Sequence, residues 1–331
     1  MLQTLPLVLF IVMAELSIGA FAVMFVLDCR NEVKRSFLIT YGLIYIVLTG
    51  LTYLFQQGFS TPAQLNTFNQ LDKAWTGYET LPLLLFLVLM LPYNVLLWID
   101  KRAGVADKEE ERKGTSTVRL LRLVVGGLTV LAGLVTLFVM AMIYRPIADS
   151  NMAGVFTVAS FFAAALALGG VMTAMWLGHW YLVTPALTEK PLLFATTLVL
   201  LGVLAQVIFA VTAGPTAPYT HTHATPATPA TSATSPAVTA TTTTPVAGAT
   251  PTPNPSIKPP NAPVVTPLST DAIGWLRILV SFVIPLVLGG LAWKLIRDRS
   301  FQSATGMLYL VVVCTLAGEA IARGLFLIGL S

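Results

Sequence analysis

Apolar runs near the ~20 residues that an α-helix needs to cross the hydrocarbon layer of a bilayer recur along the chain. They fall at about 5–27, 36–56, 80–99, 119–144, 154–184, 191–213, 273–296 and 303–329. The pattern predicts an all-α integral membrane protein, a bundle of eight transmembrane helices. Between the second and third runs, Ser60-Thr61-Pro62 reads as a helix start, and Leu65, Phe68, Leu71 and Trp75 follow at helical spacing among polar residues. That predicts one short amphipathic helix on the membrane surface, an interfacial anchor or a lid. From Gly214 to Thr270 the chain changes to Thr, Pro, Ala and Ser, as in Thr241-Thr242-Thr243-Thr244-Pro245. Such a segment has too few apolar anchors to fold and is expected to be a long disordered linker. The chain thus divides into helices one to six (1–213), a linker (214–270) and helices seven and eight (271–331).

Composition agrees with this division: 56% of the 331 residues are hydrophobic and only 10% are charged. Those proportions exclude an ordinary soluble domain. The formal net charge of +4 is not a nucleic-acid signature, because the basic residues sit in short loops. Arg30, Lys34 and Arg35 follow the first run, Lys101, Arg102, Lys108, Arg112, Lys113 and Arg119 the third, and Lys294, Arg297 and Arg299 the seventh. The intervening loops carry only Lys73, Arg145 and Lys258. Basic loops stay in the cytoplasm, so a plasma-membrane protein with both termini and the Thr/Pro linker outside is expected. The first run lacks a basic leader and a small-residue cleavage site, and is expected to be a retained span. An external linker suits an O-glycosylated stalk; it offers no Asn-x-Ser/Thr acceptor, because Asn254 is followed by Pro255. His221 and His223 within it lack the further ligands a metal site needs.

Polar residues inside the apolar runs are costly and are kept where they face protein, water or ligand. Glu319 and Arg323 lie four apart in the last run, on one helix face. Glu15 in the first run and Gln206 in the sixth fall at comparable depth, with Arg277 near the start of the seventh. Two carboxylates sharing one arginine can hold a proton, as proton-coupled quinol oxidation or proton-linked transport requires; the same groups would also serve as a buried ion pair that fixes helix packing. A second set, His179, Trp180, Tyr181 and Asn94, is expected near the cytoplasmic face. His179 is suited to a quinone carbonyl, but a single intramembrane histidine excludes a bis-histidine haem held by this chain. Two cysteines, Cys29 and Cys314, likewise exclude a four-cysteine iron–sulfur or zinc site. Pro92 predicts a kink in the third helix, with Asn94 satisfying a freed backbone group. Gly169-Gly170 predicts a close helix crossing. The openings Leu5-Pro6-Leu7-Val8-Leu9-Phe10 and Leu81-Pro82-Leu83-Leu84-Leu85-Phe86 nearly repeat, through shared helix-start chemistry or an old duplication.

The first of those openings, followed by Glu15 and Gly19-Ala20-Phe21, and the segment Gly318-Glu319-Ala320-Ile321-Ala322-Arg323-Gly324-Leu325-Phe326 in an eighth and last span resemble the membrane-anchor subunits of dimethyl sulfoxide reductase and polysulfide reductase type enzymes. The resemblance implies a menaquinone or other quinone as ligand and iron–sulfur or molybdenum subunits as partners. Glu15 and Glu319 would then exchange protons, Arg323 would set their charge, and His179, Trp180, Gln206 and Asn94 would contact the quinone. The competing expectation is a proton-linked transporter, or a structural membrane protein bearing a glycosylated stalk.

Overall fold

A computed structural model describes residues 5–100, 116–148, 151–183, 188–212 and 270–327. Among them there is no strand. The helices are α1 (Leu5–Arg30), α2 (Arg35–Phe59), α3 (Pro62–Leu65), α4 (Lys73–Thr76), α5 (Thr80–Ile99), α6 (Ser116–Tyr144), α7 (Asn151–Val183), α8 (Lys190–Thr212), α9 (Thr270–Ile278), α10 (Ile284–Arg297) and α11 (Phe301–Leu327). Eight stretches among the described residues are long and apolar enough to cross a membrane. They coincide with the eight apolar runs, and the chain is a multi-pass membrane protein. The expectations for the 214–270 linker fall outside the described residues.

Consecutive spans run up and down. One face of the bundle, the entry face, holds the starts of α1, α5, α7 and α9 and the ends of α2, α6, α8 and α11. The opposite, basic face holds Arg30, Arg35, Lys190, Arg297 and Arg299. Two of the turns there are tight: α1 stops at Asn31, which takes a left-handed conformation (φ 53°), and Arg299 does the same (φ 57°) between α10 and α11. Asparagine tolerates this conformation because its short polar side chain bonds locally.

The central helix is α1. Its most apolar window is 83% buried, against 17% for the span Ala272–Arg297. Phe10, Ile11, Ala14, Ile18, Phe21 and Met24 are enclosed by protein, while Leu54, Leu81, Val95, Leu131 and Val313 point outward, as side chains in contact with lipid do. With lipid as apolar as leucine, close packing rather than water exclusion holds such helices together. The closest approach is α1 against α7: a methyl group on Gly19 would fall on the Ala165 carbonyl, and one on Gly169 on the Gly19 backbone. The neighbouring contact of α7 with α8 is nearly as tight, since a methyl on Gly202 would lie 2.7 Å from the Ala167 nitrogen.

The segment between α2 and α5 is not one amphipathic helix. Thr61 and Gln64 form a reciprocal capping box that starts α3, the chain turns after one helical turn, and Asp72 caps a separate start by accepting from the Ala74 N–H at 3.1 Å. Two capping residues in one short stretch break the helix that the apolar spacing alone suggests. Leu65 and Leu71 are buried, and the Asp72 N–H donates to the Ile143 carbonyl (3.0 Å) at the end of α6. The segment therefore packs onto the bundle. Pro92 sits within a continuous α5, and the Asn94 amide does not satisfy a freed backbone group there: buried beside Gly42, it makes no hydrogen bond.

Candidate functional site

The outer set of polar residues comes together. Arg323 on α11 reaches across to α1, where its Nη2 donates to Glu15 Oε1, while its Nε lies 2.9 Å from Glu319 Oε1 one turn back on its own helix. Gln206 Nε2 on α8 donates to the other oxygen of Glu319 at 2.8 Å. The guanidinium lies over the Phe161 ring, 3.9 Å from its centroid, a cation–π contact strengthened by removal from water. One arginine thus joins first, fifth and last spans. Glu15 is fully buried, and its Oε2 has no hydrogen-bond partner.

Beside this cluster lies a cavity of about 700 Å³, lined by α7, α8, α9, α11 and the turn between α9 and α10. Its polar surface comes from Gln206, Arg277, Ser281, Glu319 and Arg323, and its apolar walls include Phe156, Phe209, Phe282 and Phe326. Thr157 and Ser160 also line it, but their hydroxyls donate to carbonyls of their own helix, Ala153 (2.9 Å) and Thr157 (2.7 Å). Arg277 stands where it feels the charge of both Glu319 and Arg323. The cavity size is that of an ordinary small-molecule site, and the division into apolar walls and a few convergent polar groups is the usual design of one.

The wall formed by α9 and α10 departs from α-helical geometry. Residues Leu279–Val283 form a π-helical turn, closed by a bond from the Ile284 N–H to the Leu279 carbonyl. Pro285 explains it: a proline has no N–H to give the carbonyl four residues back, that of Ser281, so the ladder is free to slip by one residue there. Such turns recur at functional sites. Here Ser281 is pressed against α11, where a methyl on Gly318 would lie 2.6 Å from its Cα, and its buried hydroxyl has no hydrogen-bond partner.

The inner set does not converge. His179 is exposed on α7. Trp180 turns away from it to pack edge-on against Phe37 (5.8 Å between ring centroids). Tyr181 packs on Phe301 at 5.0 Å, and its hydroxyl donates to the Thr188 carbonyl. Asn94 faces α2 from α5, at the edge of a shallow groove with Leu43, Ile46 and Trp98.

Two buried clusters have no counterpart in the sequence reading. At the basic face, Arg122 on α6 is buried and lies 3.2 Å from Asp28 on α1 and 3.3 Å from Asp100 at the end of α5. Tyr93 donates to the other oxygen of Asp28 at 2.9 Å. At the entry face, Glu79 precedes α5, is fully buried, and accepts from Ser60 at 3.0 Å. Both look like loop-flanking charges in the sequence. The signal that separates them is position: Arg122 lies within α6, two turns from its start, and Glu79 follows directly on the Trp75–Tyr78 aromatic pair. Among the described residues no group of three or more His, Cys, Asp or Glu side chains could hold a metal ion.

No protein family, characterised protein or solved structure matches the chain. The functional reading therefore rests on the cavity and the residues that line it.

Proposed function

We propose that the cavity is a quinol site and that this chain is a membrane subunit passing quinol electrons to a redox partner that carries the iron–sulfur or molybdenum centres. The observation that carries the reading is the junction of an apolar slot with the Gln206–Glu319–Arg323 cluster. The aromatic and aliphatic walls suit a flat ring with an isoprenoid tail. Glu319 would accept a hydrogen bond from a quinol hydroxyl, and Arg277 and Ser281 would donate to a quinol oxygen. With the basic face in the cytoplasm, both termini lie outside and the cavity belongs to the outer leaflet of the plasma membrane. The alternative, a proton-linked transporter, would use the same cluster, with Glu15 behind Arg323 as its proton store.

Photo-crosslinking separates them. An azido-menaquinone analogue should label peptides of α8, α9 and α11 in membranes, and E319A or R277A should remove most of that labelling. Labelling spread over lipid-facing residues, and unchanged by both substitutions, would sink the quinol reading and leave the transporter. Iron–sulfur or molybdenum subunits retained when the protein is purified from mild detergent would support the redox assignment.

A further inference from the structure

Tyr144 ends α6 beside the Arg323 cluster, its ring edge-on to Phe326 of the cavity wall, 6.4 Å between centroids. Its ring stacks on Phe161, at 6.0 Å and 11° between planes, the same ring that carries the Arg323 guanidinium. Its hydroxyl is fully buried with no aligned hydrogen-bond partner, yet three polar groups, Glu79, Ser60 and Arg323, lie within electrostatic reach of it. Ser60 Oγ donates to Glu79 Oε2 at 3.0 Å. The hydrogen-bond partner of Glu79 is the Ser60 hydroxyl, with the Gln56 amide close by, and no arginine or lysine pairs with it among the described residues. Gln56 in turn donates to Thr80 at 2.7 Å and accepts from the exposed Gln57 at 2.8 Å. A line of buried polar groups therefore runs from the cavity wall, through Glu319, Arg323 and Glu15, past Tyr144 and Ser60 to Glu79, and reaches the entry face at Gln57.

Packing alone does not call for this line. A fully buried acid with no cation beside it costs more than an apolar residue of the same shape, and a buried tyrosine hydroxyl normally finds a partner. Hydroxyls and carboxyls spaced along a path, each able to take one proton and release another, are what proton transfer needs.

We propose that Tyr144, Ser60 and Glu79 form a proton relay between the Glu15–Arg323–Glu319 cluster and the entry face of the bundle. A proton leaves the Glu15 carboxyl as a bridging water takes it and gives one of its own to the Tyr144 oxygen; the tyrosine's proton passes by way of Ser60 to the Glu79 carboxylate, and Glu79 loses it to water entering at the Gln57 end of the line. No electron moves and no bond other than O–H forms or breaks. The relay deepens the quinol reading, since it gives the protons of an oxidised quinol an exit separate from the cavity mouth, and it rests on that reading for its purpose.

The test needs no quinol, so its failure is distinguishable from failure of that reading. The full chain is reconstituted in detergent micelles, the carboxyl infrared band of Glu15 is assigned with E15Q, and its protonation is followed after a pH jump. The wild type should equilibrate fast, and E79Q and Y144F should each slow the Glu15 band by about a hundredfold while leaving its final amplitude unchanged. S60A, a smaller change, should slow it less and serves if either other variant fails to fold. Equal rates in the wild type and in every folded variant would overturn the relay and make the cavity the proton route. A Glu15 band that never responds to pH would overturn it as well.

Discussion

Arg323 donates a hydrogen bond to Glu15 across 308 residues of sequence, joining the last span to the first. The same guanidinium holds Glu319 at 2.9 Å, so a single cation serves two buried carboxylates. Replacing Arg323 with leucine should destabilise the bundle by about 3–5 kcal/mol, the range for removing one partner of a buried ion pair. The triple replacement E15L/E319L/R323L should recover much of that loss, because no buried carboxylate is then left without its cation, although Arg277 loses the Glu319 charge beside it. Thermal unfolding in micelles reads both; a triple variant no more stable than R323L would show that the cluster does more than balance charge.

The α1–α7 crossing sets a second expectation. A side chain on Gly169 has only the Gly19 backbone to enter, and helices cannot slide apart without breaking neighbouring contacts. G169A should cost about 1–3 kcal/mol, the usual range for overpacking, whereas G290A, facing open space, should be neutral or slightly stabilising. Equal effects of the two would mean that the crossing is loose.

The eight spans are legible in the sequence because each apolar run is near the length of a bilayer, and the helix bounds differ from those of the runs by only a few residues. The outer cluster is legible for a related reason: Glu15, Gln206, Glu319 and Arg323 stand out against apolar neighbours, and helix parity puts them at similar depth. Three features are less visible. The broken α3–α4 segment needs the capping of Thr61 and Asp72 to be weighed above the spacing of Leu65 and Trp75. The scatter of the inner set follows from the azimuths of His179 and Asn94 on their helices, which span boundaries do not fix. Arg122 and Glu79 lie next to loops, where a charge normally means solvent.

Topology is open to direct labelling. With Cys29 and Cys314 replaced, a cysteine at Thr242 should react with an impermeant maleimide added outside intact cells, and one at Ala106 only after the membrane is breached. The expectation follows from the basic loops that flank the spans at one face. The reverse pattern would invert the bundle, placing the cavity in the cytoplasmic leaflet and the entry face inside.

The second buried ion cluster predicts that α1 is held at two points, near its middle and at its C-terminal end. Asp28 lies thirteen residues beyond Glu15 on α1, about 20 Å along the helix, and is held by Arg122 at 3.2 Å and by the Tyr93 hydroxyl at 2.9 Å. R122L would remove the buried cation shared by Asp28 and Asp100 and should cost about 3–5 kcal/mol. Y93F, which removes one hydrogen bond to a charged group, should cost about 1.5–3 kcal/mol. Because both partners act on one carboxylate, the double variant Y93F/R122L should depart from the sum of the single variants by about 0.5–3 kcal/mol. R323L acts on Glu15 near the middle of α1, shares no partner with Arg122, and should add to R122L within about 0.5 kcal/mol. Strong coupling between Arg122 and Arg323 would mean instead that α1 shifts as a rigid rod between its two anchors, and double-mutant unfolding in micelles distinguishes the two cases.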